Sequence, residues 1–268
     1  MNAPITTEVA FAKARAEGRA ALVGYFPAGF PSVEGSIEAM RVMVESGCDV
    51  IEIGLPYSDP VMDGPTIQAA AQQALDGGVR TRDVLRVVEA VAATGVPTLV
   101  MTYWNPVERY GVQRWARDLA SAGGAGLITP DLTPEAAPEW IVAADENGLD
   151  KVFLVAPSST DERIAMTTAA CRGFVYATAV MGVTGAREST SDLAGPLVAR
   201  TKAATSLPVG VGLGVSNGEQ AAEIASYADG VIVGSAFVRT LLAPGTTTTR
   251  LAHLAALTEE LAAGVRRG

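Results

Sequence analysis

The chain has 268 residues, half of them apolar, and a formal net charge of −9. An acidic balance of this size excludes nucleic acid or an anionic membrane as the main partner, because both want a basic face. The apolar fraction supplies a large core, and the length is close to that of an eight-stranded α/β barrel.

The N-terminal segment carries Glu8, Lys13, Arg15, Glu17 and Arg19, so it lacks the unbroken apolar region of a signal peptide. No later segment offers a long charge-free apolar run for a membrane helix. Cys48 and Cys171 match no metal or redox spacing, and reduced thiols in a cytoplasmic protein are expected. Thr246–Thr249 reads as a surface connection.

Periodicity predicts a short helix over about 7–17, a strand over 21–26 and a helix over 36–46. The second strand, 50–54, carries Glu52 among apolar neighbours. That pattern implies a sheet covered on both faces, where an ionised carboxylate is expensive. The strand opens into a loop bearing Asp59 and Asp63, and Pro65 starts the next helix. A carboxylate inside a strand and another at the mouth of the same loop suits acid–base chemistry. The plainer reading is a stray buried glutamate, with Asp63 or Gly64 merely starting the helix. Helices over 66–76 and 82–94 follow, one more than a crossover needs.

Strand three, 97–102, runs into YWNP and sets Tyr103 and Asn105 at its C-terminal end. A helix over 112–122 packs through Val112, Trp115 and Leu119. Strand four, 125–129, delivers Asp131; a helix over 135–146 and strand five, 151–155, come next. Ser159 with Glu162 reads as a capping box. Strand six, 174–178, feeds the long loop AVMGVTGARESTSD, and strand seven, 209–213, leads to a second box, Ser216 with Glu219. Strand eight, 230–233, ends in GSAF, and a helix over 250–263 closes the chain.

Eight strands alternating with helices predict a (β/α)8 TIM barrel with additional helices, in one domain over 1–268. A doubly wound open sheet is the alternative, weakened because no GxGxxG follows strand one. Barrel enzymes work at the C-terminal ends of their strands. Tyr25, Glu52, Asp63, Tyr103, Asn105, Asp131, Tyr176 and Thr184 fall at that rim, as do Gly182, Gly185, Gly212, Gly214, Gly234 and Ser235. The clustered glycines point to a phosphate site. The only lysines are Lys13, Lys151 and Lys202, none placed for a Schiff base, and the sole histidine is His253. Schiff-base, zinc and serine or cysteine nucleophile chemistries therefore lack their groups. What remains is proton transfer on a phosphorylated substrate, with no cofactor and no metal.

The segment IEIGLPYSDPVMDGPTIQAA, with GYFPAGFPS, MTYWNPVERYG, GLITPDL, MGVTGAR, VGLGVSNGEQ and ADGVIVGSAFV in order, closely resembles the tryptophan synthase α subunit. The resemblance runs from about residue 20 to 240. It implies retro-aldol cleavage of indole-3-glycerol phosphate to indole and glyceraldehyde 3-phosphate. It also implies a PLP-bearing β subunit in an α2β2 heterotetramer. Glu52 matches the acid–base glutamate, and Asp63 the aspartate that holds the indole N–H. Gly185, Gly214, Gly234 and Ser235 match phosphate-holding positions. Tyr176 and Thr184 match substrate-side positions, and Tyr25, Tyr103, Asn105, Asp131 and Leu213 are expected beside them. Tyr25 and Leu213 stand where some members carry phenylalanine, and Val180 and Met181 where others are polar. Residues 180–192 are expected to be mobile. The loop at 59–63 and YWNPVERYG are expected to form the face that a β subunit covers. The rivals are another phosphate-binding barrel lyase or isomerase and a catalytically silent regulatory homologue.

Overall fold

The first two strands, β1 (Ala21–Pro27) and β2 (Val50–Gly54), run parallel with Tyr25 opposite Glu52. The computed structural model describes residues 5–178, 191–212 and 214–268. Within them follow β3 (Thr98–Met101), β4 (Gly126–Ile128), β5 (Asp150–Val152), β6 (Leu154–Val155), β7 (Val175–Thr178), β8 (Val209–Gly212) and β9 (Gly230–Val233). All pair in parallel, in the order β5-β4-β3-β2-β1-β9-β8-β7-β6.

The two ends of that order, β5 and β6, are halves of the predicted fifth strand, separated by Phe153. One half pairs with β4 and the other with β7, so the covalent chain completes the ring. The result is a (β/α)8 barrel with a broken fifth strand, and the open-sheet alternative falls. Alternation along the strands sorts two cores. Ala21, Val23, Val50, Leu99, Ile128, Val152, Phe174 and Ile232 fill the barrel interior. Leu22, Phe26, Ile51, Ile53, Val100, Val175, Val211 and Val231 face the surrounding helices.

Several helix boundaries differ from the sequence expectation, each for a local reason. The helix expected over 36–46 starts at Val33, because the Ser32 hydroxyl accepts from the Gly35 N–H. Neither predicted capping box forms. Thr160 caps the helix Asp161–Ala170, while Ser159 Oγ accepts from the Ala156 N–H. Asn217 caps Gly218–Ala225, while the Ser216 N–H and hydroxyl both donate to Gln220 Oε1. Pro138 divides the helix expected over 135–146 into a 3₁₀ turn, Pro134–Ala136, and the helix Pro138–Glu146. Thr246 caps the last helix, Thr247–Gly264, so the segment expected as a surface connection is exposed but is the start of that helix. No described helix is long and apolar enough to cross a membrane.

The N-terminal helix Thr7–Ala16 plugs the bottom of the barrel, with the Phe11 and Phe174 rings 5.1 Å apart. No side chain of its own caps it. Asp150, 1% exposed at the start of β5, takes that role: Oδ2 accepts from the Thr7 N–H at 2.8 Å and its hydroxyl at 2.7 Å. Gly173 makes room, since a Cβ there would strike the Asp150 carboxylate. Replacing Asp150 with Ala leaves two buried donors unpaired and should cost about 2–4 kcal/mol in urea-unfolding stability. A loss under about 0.5 kcal/mol would mean the plug is held by packing alone.

Candidate active site

Glu52 faces inward because β2 alternates Val50, Glu52 and Gly54 toward the barrel interior. It is 0% exposed, and neither carboxylate oxygen has a hydrogen-bond partner among the described residues. Burial pushes its pKa up to about 8. Near neutral pH the group is therefore an acid that keeps its proton.

Above it lies a cavity of about 110 Å³ at the C-terminal rim, bordered by Tyr25, Glu52, Asp63, Tyr176, Thr178, Gly212, Gly214, Gly234 and Ser235. Its apolar walls are Met62, Ile67, Met101, Pro130, Leu154 and Ile232. Asp63 reaches the cavity from the loop between β2 and the helix Pro65–Asp76. Burial raises its pKa, and a hydrogen bond from the Tyr103 hydroxyl works in the opposite direction. Two carboxyl groups thus meet one small apolar space, with no lysine or arginine among its described walls.

Two tyrosines flank Glu52, and glycines make room for them. A Cβ on Gly54 would collide with the Tyr25 ring and hydroxyl, and one on Gly212 with those of Tyr176. At Gly234 a Cβ would come to 3.2 Å from Tyr25 Cδ1. Gly54 and Gly212 therefore serve the tyrosines, a role sequence reasoning missed. The signal available was their inward register on the strands beside Tyr25 and Tyr176. Burial, with the nearby carboxylates, raises both phenol pKa values, so both stay neutral donors.

The helix Ser235–Leu242 begins at the cavity edge with Gly234 as its N-cap and no capping side chain. Its first N–H groups are left for an anion. Gly214, at φ +74°, occupies the left-handed region that glycine adopts without strain.

The remaining predicted residues divide. Tyr103 is buried behind the cavity and touches the loop at Met62 and Asp63. Asn105 is not at the cavity: its side-chain amide donates to the Tyr57 hydroxyl on a separate concave face. Asp131 is not there either, because its carboxylate accepts from the Trp104 N–H and caps the short helix Trp104–Tyr110. Sequence periodicity assigns no element to that segment. Thr184, Gly185, Leu213, Val180 and Met181, and all but the end of the 180–192 loop, lie outside the described residues. No group of three or more metal-ligating side chains occurs among the described residues.

The raised pKa of Glu52 has a thermodynamic consequence. The unfolded chain releases this proton near the ordinary value of 4.5, whereas the folded chain keeps it to about 8. Wild-type stability is therefore lost progressively between those pH values. Glu52→Gln, which does not titrate, should gain on wild type across that window, by a few kcal/mol at pH 8 and little at pH 4. Thermal unfolding at the two pH values measures this, and a constant difference would show that Glu52 titrates normally.

Comparisons with known proteins bear on this geometry. A family model described as tryptophan synthase alpha chain matches residues 11–266. The tryptophan synthase alpha chain of Salinispora arenicola is 66% identical, over 96% of this chain and 97% of that one. A solved tryptophan synthase from Mycobacterium tuberculosis superposes with a TM-score of 0.92 at 59% identity, covering 98% of each chain. The tryptophan synthase subunit alpha of Legionella pneumophila gives 0.88 at 30% identity, covering 97% of this chain and 98% of that one.

Proposed function

The chain belongs to the tryptophan synthase alpha chain family, and we propose how its residues divide the work of that reaction. It is a carbon–carbon lyase that cleaves indole-3-glycerol phosphate to indole and glyceraldehyde 3-phosphate. It pairs with a β subunit in a heterotetramer, and the indole passes to that PLP-dependent partner for L-tryptophan synthesis. The readings as another barrel lyase or a silent regulator are not needed.

The observation that carries the assignment of roles is the buried, unpartnered Glu52 carboxyl under an apolar cavity. Being protonated, Glu52 gives its proton to ring carbon C3. The ring becomes cationic, and Asp63 stabilises it through the ring N–H. The Glu52 carboxylate then takes the proton from the hydroxyl on the adjoining glycerol carbon. That carbon becomes a carbonyl as the bond to the ring breaks, and the released electron pair restores indole. Glu52 ends the cycle protonated. Two carboxyl groups in different surroundings suit this division. The apolar walls suit a flat ring. The phosphate is assigned to backbone N–H groups at Gly214, Gly234 and Ser235, with Gly185 as a further candidate.

We read residues 1–268 as one domain, because β1 hydrogen-bonds to β9 and joins the two ends of the chain in one sheet. We also place the protein in the cytoplasm, in keeping with its two free thiols. The face bearing Tyr57, Ser58, Asn105 and Arg109 is assigned to the β subunit, together with Val61 of the same loop as Tyr57, which is 73% exposed.

Indole release from indole-3-glycerol phosphate, with and without a β subunit, tests the assignment. Glu52→Gln should lower turnover at least about a hundredfold while substrate still binds. In the wild type kcat should fall as pH rises through about 8, because the acid form is lost. Near-normal turnover in a folded Glu52→Gln protein would sink the scheme. Gly234→Val should press on Tyr25 and obstruct the helix start. It should weaken glyceraldehyde 3-phosphate and phosphorylated-substrate binding, read by calorimetry, more than binding of free indole. Equal weakening would place the phosphate elsewhere.

A further inference from the structure

Tyr103 was expected to touch the substrate, yet it does not border the cavity. It follows β3, is 6% exposed and sits at the N-cap position of the helix Trp104–Tyr110 without capping it by its own side chain. Its hydroxyl is 2.9 Å from the Met62 N–H and 3.3 Å from Asp63 Oδ1. The backbone N–H can only donate, so the phenol oxygen accepts there. The phenolic proton is then left for the Asp63 carboxylate.

Among the described residues little else fixes this carboxylate. Ser58 donates to Asp59 within the loop, and the Gln68 side chain holds the Asp63 carbonyl rather than the carboxylate. The Tyr103 ring lies against Tyr57, with centroids 5.1 Å apart, and Tyr57 accepts from Asn105. One side chain from the barrel rim thus grips the loop at two successive residues and through an aromatic contact.

We infer that Tyr103 is a positioning residue, which aims the Asp63 carboxylate at the ring N–H. The inference rests on the role proposed above for Asp63. At 3.3 Å the bond to Asp63 is long, so a small loop movement over bound substrate would shorten it. Burial pushes the Tyr103 pKa to about 12, which keeps the donor neutral throughout the working range. Among the described residues, the titratable groups around Asp63 are Tyr103, Tyr25 from β1, Glu52 from β2, Tyr176 from β7 and Asp59 on its own loop. None is a cation. Tyr103 is accordingly the group that opposes the effect of burial on Asp63.

The sign of the consequence is fixed. Without the donated bond the Asp63 pKa rises, so activity is lost at a higher pH as the solution is acidified. The basic limb, set by Glu52, should stay in place. Tyr103→Phe keeps the ring against Tyr57 and removes only the hydroxyl.

The experiment measures indole release by the full chain, alone and with its β subunit, for wild type, Tyr103→Phe, Asp63→Asn and the double variant. Tyr103→Phe should lower kcat roughly tenfold. Its acid limb should move up by about half a unit or more. In the Asp63→Asn background it should cause little further loss. A merely structural role would lower activity without moving the acid limb, and its effect would multiply with that of Asp63→Asn. Either result, beside an impaired Asp63→Asn protein, overturns the inference alone. A fully active Asp63→Asn protein would overturn the Asp63 assignment and the inference together.

Discussion

A carboxyl group held inside the barrel without a partner among the described residues is the constraint on which the site depends. Burying Glu52 in β2 is tolerable because the group keeps its proton, and burial is the cause of the raised pKa. Ionising it at neutral pH would place an unpaired charge in an apolar interior. The same property makes it useful, because an acid that remains protonated near neutrality can protonate a carbon atom of the ring. Stability and chemistry therefore pull in opposite directions at one residue, as expected where a site is built into a folded core.

The surroundings of Glu52 follow from strand alternation and from the glycines. β1 and β7 bring Tyr25 and Tyr176 to the same cavity, and Gly54 and Gly212 leave their rings space. Beneath the cavity Val23, Val50, Leu99 and Phe174 close the barrel, and the N-terminal helix seals its base through Phe11 and Asp150. The interior is thus divided by height. The lower part is packed, and the rim is open enough for a small ring and bordered by acids and phenols. The residues beneath the cavity are the ones that stabilise the fold.

The second carboxylate depends on different physics. Asp63 is on a loop, and loops hold a side chain less firmly than strands do. Its surroundings therefore include a hydroxyl from a neighbouring element, which Tyr103 supplies, and a backbone anchor at Met62. The loop also carries Tyr57 to an outward face shared with Asn105 and Arg109. A partner resting on that face would bear on the loop that holds Asp63.

Local sequence was sufficient wherever one strong pattern had no competitor. The limits of β2 and β9, the parallel alternation and the inward position of Glu52 were legible from apolar periodicity and from one charge that did not fit it. Helix starts were less so: at Ser159–Thr160 and Ser216–Asn217 two capping residues lie side by side, and neighbouring N–H groups decided which one capped. The roles of rim residues were least legible. Asn105 and Asp131 are polar residues after barrel strands, as catalytic residues are, yet one pairs with Tyr57 and the other caps a helix. Tyr103 and Tyr25 look alike in sequence, but only the second borders the cavity. Composition and periodicity determine which residues reach the rim, because that depends on neighbours along the chain. Which of them face the cavity, and which are spent holding others in place, is decided by contacts between residues such as Met62 and Tyr103, far apart in sequence, that exist only once the barrel has closed.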